Sequence, residues 1–204
     1  MVGVKQARSV GWPVIGGREA SLVQRCVVGE ELAFAELMAD HQRMVVQLAV
    51  NLLGDHDEAL DLSQEVFLRV FRTIHRFRGQ STLRTWIYRI TVNQARNRRR
   101  FWRRRHRGEQ VSLDAHVAAH GDVLRGGEAG PDRILAQKEL AARLRQALGH
   151  LPFDQRSAIV LREIDGLSYD EIAYSLGVAV GTVKSRLTRA RSALRNELRE
   201  ARTL

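Results

Sequence analysis

The chain has 204 residues, 44% of them hydrophobic, enough to bury one core or two small ones, and its composition excludes a fibrous or collagen-like structure. Its 33 lysines and arginines outnumber 23 aspartates and glutamates, and the formal charge of +10 favours a polyanionic partner, nucleic acid or an anionic membrane. A single cysteine, Cys26, excludes an intrachain disulfide and a cysteine-clustered zinc site, and it is expected to be a small core residue. No apolar run approaches the roughly 20 residues that span a bilayer. Val14-Ile15, broken by Pro13, Gly16 and Gly17, is too short for a signal sequence, so the chain is expected in the cytoplasm.

Residues 1–20 mix Gly, Val, Lys and Arg without periodicity and are expected to form a flexible leader. From Ser21 to Leu53 the apolar residues Leu22, Val23, Phe34, Leu37, Met38, Val45, Leu48, Ala49 and Leu52 recur at helical spacing. Gly29 breaks the pattern and Gly54-Asp55 ends it, which predicts two helices. Residues 57–71 predict a third, with Ala59, Leu60, Leu62, Val66, Phe67, Val70 and Phe71 inward and Asp57, Glu58, Asp61, Gln64 and Glu65 largely outward. An acidic face on so basic a chain calls for a basic partner. After a polar turn at 76–82, a fourth helix runs from Leu83 through Trp86, Ile87, Ile90 and Val92 to Ala95, then into a run of arginines interrupted by Phe101-Trp102.

Residues 106–133 lose periodicity and contain Gly121, Gly126, Gly127, Gly130 and Pro131, the composition of a flexible linker. Helical spacing returns at Ile134, Leu135, Leu140, Leu144, Ala147 and Leu148, stops at Leu151-Pro152, and resumes through Ile159, Val160, Leu161 and Ile164. No segment sustains strand alternation. The expected fold is all-α: two small helical domains, 21–105 and 134–204, joined by the linker.

The second domain ends in a helix-turn-helix. Ser168 and Glu171 form a capping box, Ala173 is small enough to let another helix cross close by, and Gly177 supplies the left-handed residue that ends the first helix. In the second helix Val183, Leu187, Ala190, Leu194 and Leu198 make one apolar stripe. Lys184, Ser185, Thr188 and Arg189 are left on the opposite face, offering cations and hydroxyls to a DNA major groove, where Lys184 and Arg189 would read guanine edges or clamp phosphates.

The loop 76–82 allows two readings. Phe77 would stack on an unpaired base, Ser81 and Thr82 would hydrogen-bond it, and the arginines would hold its backbone; alternatively, Trp86 and Ile87 simply belong to the core. The arginine run is either a solvated helix end or a phosphate-contacting arm, and its density favours the latter. His116 and His120 lie one helical turn apart without a third ligand, so no metal is expected, and no cofactor signature or nucleophile–base pair points to an enzyme.

Three blocks together resemble the bacterial extracytoplasmic-function sigma factors, members of the primary-sigma superfamily. They are Asp61-Leu62-Ser63-Gln64-Glu65-Val66-Phe67; Phe77-Arg78-Gly79-Gln80-Ser81-Thr82-Leu83 continuing through Thr85-Trp86-Ile87-Tyr88-Arg89-Ile90 to Asn93; and Leu151-Pro152 followed by residues 161–173 and Gly181-Thr182-Val183-Lys184-Ser185-Arg186. The resemblance implies a sigma domain 2 at 21–105 and a sigma domain 4 at 134–204, in a factor that binds core RNA polymerase and directs promoter-specific initiation. By that likeness Asp57, Glu58, Asp61, Gln64 and Glu65 dock on the polymerase clamp. Phe77, Arg78, Ser81, Thr82, Trp86, Asn93 and Asn97 would capture the minus-10 element in single-stranded form. Thr182, Lys184, Ser185, Arg186, Thr188 and Arg189 would read the minus-35 duplex, with Arg96, Arg99, Arg100 and Arg191 on phosphates. The linker would thread toward the RNA exit path.

Gln80 stands where the family often has an acid, and Thr188 stands where its members vary, so the promoter sequence is not carried over. With little chain beyond Leu198, no additional C-terminal regulatory domain is expected; control is expected from a separate anti-sigma protein covering both faces. Two other readings remain at this stage: a stand-alone helix-turn-helix regulator with an unrelated N-terminal domain, and a basic RNA-binding module.

Overall fold

The computed structural model describes residues 16–105 and 131–200, with only the backbone described for 131–139 and 200. Eight α-helices occur among them: α1 Gly17–Val27, α2 Glu31–Leu53, α3 His56–Thr73, α4 Leu83–Arg105, α5 Pro131–His150, α6 Phe153–Ile159, α7 Tyr169–Leu176 and α8 Val180–Glu200. A 3-10 turn, Ile74–Arg76, ends α3, and a π-helical turn, Val160–Ile164, extends α6. No helix among the described residues is long and apolar enough to cross a membrane.

The expected breaks have physical causes at the atoms. Gly54 closes α2 at φ 84°, a left-handed conformation that costs a residue with a Cβ, and its N–H returns to the Val50 carbonyl. Asp55 then caps α3 by accepting the Glu58 N–H at 2.9 Å. Helices α2, α3 and α4 pack pairwise into a bundle around Leu37, Leu48, Leu52, Leu62, Val66, Ile87 and Val92, with α1 laid across α2. In the second half α6, α7 and α8 enclose Leu161, Ile172, Leu176, Val183, Leu187 and Ala190.

Several expectations change. The segment read as a leader includes Gly17–Ala20, which are the first residues of α1, while residues 1–15 lie outside the described residues. The expected linker 106–133 and His116 and His120 also lie outside, except that α5 begins at Pro131. Leu60 and Phe71, expected inward, are exposed. On α3 the stripe Ala59, Leu62, Ser63, Val66, Phe67 and Val70 already fills the bundle-facing side, so Leu60 and Phe71 fall at its margin. Leu140 and Leu144 of α5 are likewise exposed, as is Ile164.

The two helical units close on each other, chiefly through α4 against α7. The Thr85 hydroxyl donates to Glu171 at 3.2 Å, the Ser175 hydroxyl donates to the Thr85 carbonyl at 3.5 Å, and the Arg89 guanidinium lies 4.9 Å from the Tyr174 ring centroid. From α6 the buried Arg156 reaches the C-terminal turn of α2, donating to the Leu52 carbonyl at 2.9 Å and also to the carbonyls of Gly149 and Leu151. Burial, reinforced by the neighbouring Arg99 charge, lowers its pKa to about 10, so it still carries its proton at neutral pH.

Asp165 sits at this interface, accepting a hydrogen bond from the Tyr88 hydroxyl at 3.1 Å beside an open interdomain pocket lined by Asp40, His41, Arg84 and Ile164 among others. Burial pushes its carboxyl up to about 6, against the Tyr88 hydrogen bond and the Arg84 charge, which both favour the anion. A carboxyl whose pKa is raised in the closed state favours closure when protonated. Its contribution is complete below the ordinary 3.8 and is lost as pH rises through about 6. Amide exchange of α7 should therefore slow as pH falls from about 7 to about 5, after correction for intrinsic exchange. Asp165→Asn, which still accepts from Tyr88, should remove that pH dependence; an unchanged dependence in the variant would contradict this assignment.

Candidate nucleic-acid interface

The helix-turn-helix is built as its sequence requires. Glu171 N–H donates to the Ser168 hydroxyl at 3.3 Å while the Glu171 carboxylate accepts the Ser168 N–H at 2.9 Å, closing the capping box. Gly177, at φ 66°, ends α7, and the Val178 N–H returns to the Ala173 carbonyl at 3.0 Å. This turn sets α8 with Val183, Leu187 and Ala190 buried and Lys184, Ser185, Thr188 and Arg189 exposed along one face. The two hydroxyls bond back to their own helix, Ser185 to the Thr182 carbonyl at 2.9 Å and Thr188 to the Lys184 carbonyl at 3.1 Å. They present acceptor lone pairs outward, suited to exocyclic amino groups of bases.

Thr182 and Arg186, expected on the same reading face, are half-buried. Arg186 turns toward α6 and pairs with Asp154 at 2.9 Å. The same carboxylate takes Arg96 of α4 at 3.3 Å, so one aspartate joins an arginine from each helical unit. Arg96 and Arg99 both lie 5.7 Å from the Phe153 ring centroid. Arg99 and Arg186 each keep one buried guanidinium nitrogen, Nη1, without a hydrogen-bond partner, and burial, followed by the charge of Arg103, lowers the Arg99 pKa. Arg191 pairs with Glu163 at 2.7 Å, whereas Arg100 is exposed. Of the arginines expected on phosphates, three are thus engaged within the closed chain.

At the other end, the loop 77–82 packs Phe77 against Trp86, ring centroids 5.4 Å apart and planes tilted by 50°. Arg78 is exposed, and Asn93 and Asn97 are exposed one turn apart on α4. Ser81 departs from its expected role: it is fully buried and its hydroxyl donates to the Thr82 carbonyl at 3.1 Å. Thr82 is occupied as well, capping α4 by accepting the Thr85 N–H at 3.1 Å. In this conformation the pair shapes the loop, and Phe77, Trp86, Arg78, Asn93 and Asn97 are the side chains that remain for a base or its phosphate.

The acidic face lies on α3, with Asp57, Asp61, Gln64 and Glu65 exposed and Glu58 half-buried. Arg98 of α4 reaches across to it, with contacts of 3.1 Å to Glu58, 3.3 Å to Glu65 and 4.0 Å to Asp61. Burial raises the Glu58 pKa, with Arg98 opposing the shift. Exposed Leu60 and Leu68, the latter 55% accessible, share this helix, so the surface offers carboxylates edged by apolar side chains. Arg98 looks in the sequence like one more member of the basic run; its spacing along α4 carries no signal that it anchors the acids.

Residues 37–107 match the family described as Sigma-70 region 2 and residues 141–194 match Sigma-70, region 4. The chain is 36% identical to the RNA polymerase sigma-H factor of Pseudomonas aeruginosa over 177 residues, covering 87% of this chain and 92% of that one. It is 37% identical to the ECF RNA polymerase sigma-E factor of Escherichia coli over 178 residues, with the same coverage of 87% and 92%. Among solved structures, the sigma factor RpoE of Bartonella quintana bound to the anti-sigma factor NepR superposes with a TM-score of 0.67 at 27% identity, covering 81% of this chain and 96% of that one. CnrH in complex with the cytosolic domain of CnrY gives 0.65 at 27% identity, covering 89% and 97%. Matches to both regions in order, together with relatives of this identity over most of their length, show that the chain belongs to the extracytoplasmic-function family of RNA polymerase sigma factors.

Proposed function

We propose that this chain binds core RNA polymerase and directs it to promoters, with residues 21–105 acting as sigma domain 2 and 134–204 as sigma domain 4. The observation that carries this reading is that the two matched regions carry chemically distinct surfaces. The first region holds the acidic α3 face and the Phe77 loop; the second holds an α8 face of Lys184, Ser185, Thr188 and Arg189. Acid on a strongly basic chain suits a basic clamp on the polymerase, and the α8 face suits a major groove. The chain would supply binding energy and no catalytic group, while the polymerase performs the chemistry in the cytoplasm. An anti-sigma protein is the regulator proposed by likeness to the Bartonella complex.

The closed arrangement limits when this can happen. Elements centred near minus 10 and minus 35 lie about 25 base pairs apart, roughly 85 Å of duplex at 3.4 Å per pair. Helix α4 is about 35 Å long and touches α7 directly, so one chain cannot reach both elements while α4 and α7 remain in contact. Parting α4 from the second unit also frees the Arg96 guanidinium from Asp154 for phosphate.

The direct test mixes the purified chain with core polymerase and genomic promoter fragments and looks for sequence-specific run-off transcripts. Specific transcripts support the reading. Tight specific DNA binding without polymerase would instead indicate a self-sufficient regulator, and binding to structured RNA without polymerase an RNA-binding module. Charge reversal at Asp61 and Glu65 should weaken polymerase binding while the melting temperature stays close to wild type; unchanged affinity would remove the acidic face from the docking surface. Arg189→Ala should cost about 1–3 kcal/mol at the preferred upstream element if Arg189 contacts a base, measured by competition between promoter sequences. A loss equal on all sequences would place it on phosphate.

A further inference from the structure

Helix α1 lies outside both matched regions, since the first begins at residue 37. It is nevertheless tied down at both ends. Near its C-terminus Leu22 and Cys26 are buried, and the Arg25 guanidinium grips two carboxylates at the start of α2: Glu30 at 2.7 Å and 2.9 Å, and Glu36 at 3.0 Å. Those carboxylates raise the Arg25 pKa further, the Glu30 hydrogen bond contributing most. At its N-terminal end the Glu19 carboxylate crosses to α4 and accepts the Leu83 N–H, the first of that helix, at 2.5 Å.

This bond satisfies a specific need. The first four N–H groups of a helix have no partner within it, and the helix dipole concentrates partial positive charge there. Thr82 satisfies the Thr85 N–H locally. Glu19 satisfies the Leu83 N–H from 64 residues away in sequence and brings a negative charge to that terminus. Helix α1 also packs against the 3-10 turn Ile74–Arg76. The loop 77–82 leaves that turn and enters α4 at Leu83, so one helix touches both ends of the loop. Ser81 is buried within the loop, and α1 meets the chain on either side of it, at the 3-10 turn and at Leu83.

We propose that Glu19 is a positioning residue for the minus-10 loop: through its bond to the N-terminus of α4 it holds the loop in the shape that discriminates among unpaired bases. This rests on the assignment of loop 77–82 to minus-10 capture. A purely structural role would lower the stability of the chain and weaken every DNA contact alike. A positioning role lowers discrimination at one element.

The experiment uses holoenzyme reconstituted from core polymerase and the full chain. The probe is a single-stranded oligonucleotide copied from the minus-10 region of a promoter that this holoenzyme transcribes, compared with a scrambled strand of the same composition. Glu19→Ala should reduce the preference for the promoter strand by about fivefold, the scale of a charge at a helix terminus. Polymerase affinity and binding to upstream duplex should stay at wild-type values. Glu19→Gln, which keeps an acceptor but not the charge, should recover part of the preference, and it remains informative if the alanine variant folds poorly. Leu187→Ala in α8 serves as a destabilised control, with its minus-10 preference expected to be unchanged. Phe77→Ala and Asn97→Ala test the underlying assignment. If they lower the preference and the Glu19 variants do not, the positioning role is overturned and the assignment stands. If none of the four lowers it, the minus-10 assignment of the loop fails as well. Equal weakening on promoter and scrambled strands by Glu19→Ala would also overturn the proposal.

Discussion

The packing of α4 is the constraint on which the other surfaces depend. This one helix lies against α2 and α3 along one side and against α7 on another. Its N-terminus receives the loop that begins at Phe77, its middle exposes Asn93 and Asn97, and its C-terminal half is the arginine run. A rotation of α4 would move the 77–82 loop, the asparagines and Arg98 on the acidic face together. Buried Ile87, Tyr88, Thr91, Val92 and Ala95 make such rotation costly, because each would leave a gap in a close-packed interior. Rigidity at this helix is what allows a short loop to hold a defined shape.

Charge is the second organising theme. A chain with a formal charge of +10 repels itself, and the structure places its few acids where they neutralise particular arginines. Asp154 serves Arg96 and Arg186 at once, Glu163 serves Arg191, and three acids of α3 gather around Arg98. The Arg191–Glu163 pair, exposed on both sides, contributes little to stability, about 0–1 kcal/mol. The consequence of these pairings lies elsewhere. Arg96 and Arg191, proposed for phosphate, already hold a carboxylate in the closed chain, and a polyanion would have to displace it. Lys184 and Arg189 stay outward on α8, so the face proposed to read the upstream element is already exposed while the two units are in contact.

What could be read from the sequence follows from how local each cause is. The Ser168 and Glu171 capping box, the left-handed Gly177 and the Val183, Leu187, Ala190 stripe are set within a few residues, and all stand as their spacing indicates. The acidic α3 face was legible for the same reason. Phe71 and Leu60 were misplaced because periodicity alone does not tell how wide a helix stripe the bundle covers. Glu19, Arg98, Asp154 and Arg156 were not legible in their roles, since each acts on a group tens of residues away. Ser81 and Thr82 show the converse: short polar residues in a loop suit a base equally well as a helix cap, and only the folded geometry separates the two uses.

The central claim is that a single chain reads two separated promoter elements through domains that are closed on each other when the chain is alone. The most direct measurement is the distance between a dye on the exposed face of α3 away from Asp61 and a second dye on α5, by energy transfer, in the free chain and in transcriptionally active holoenzyme. The account predicts a short distance in the free chain and a lengthening of tens of ångströms, toward the roughly 85 Å that separates the elements, on binding core polymerase. A distance that stays short in a holoenzyme that still initiates at specific promoters would contradict it.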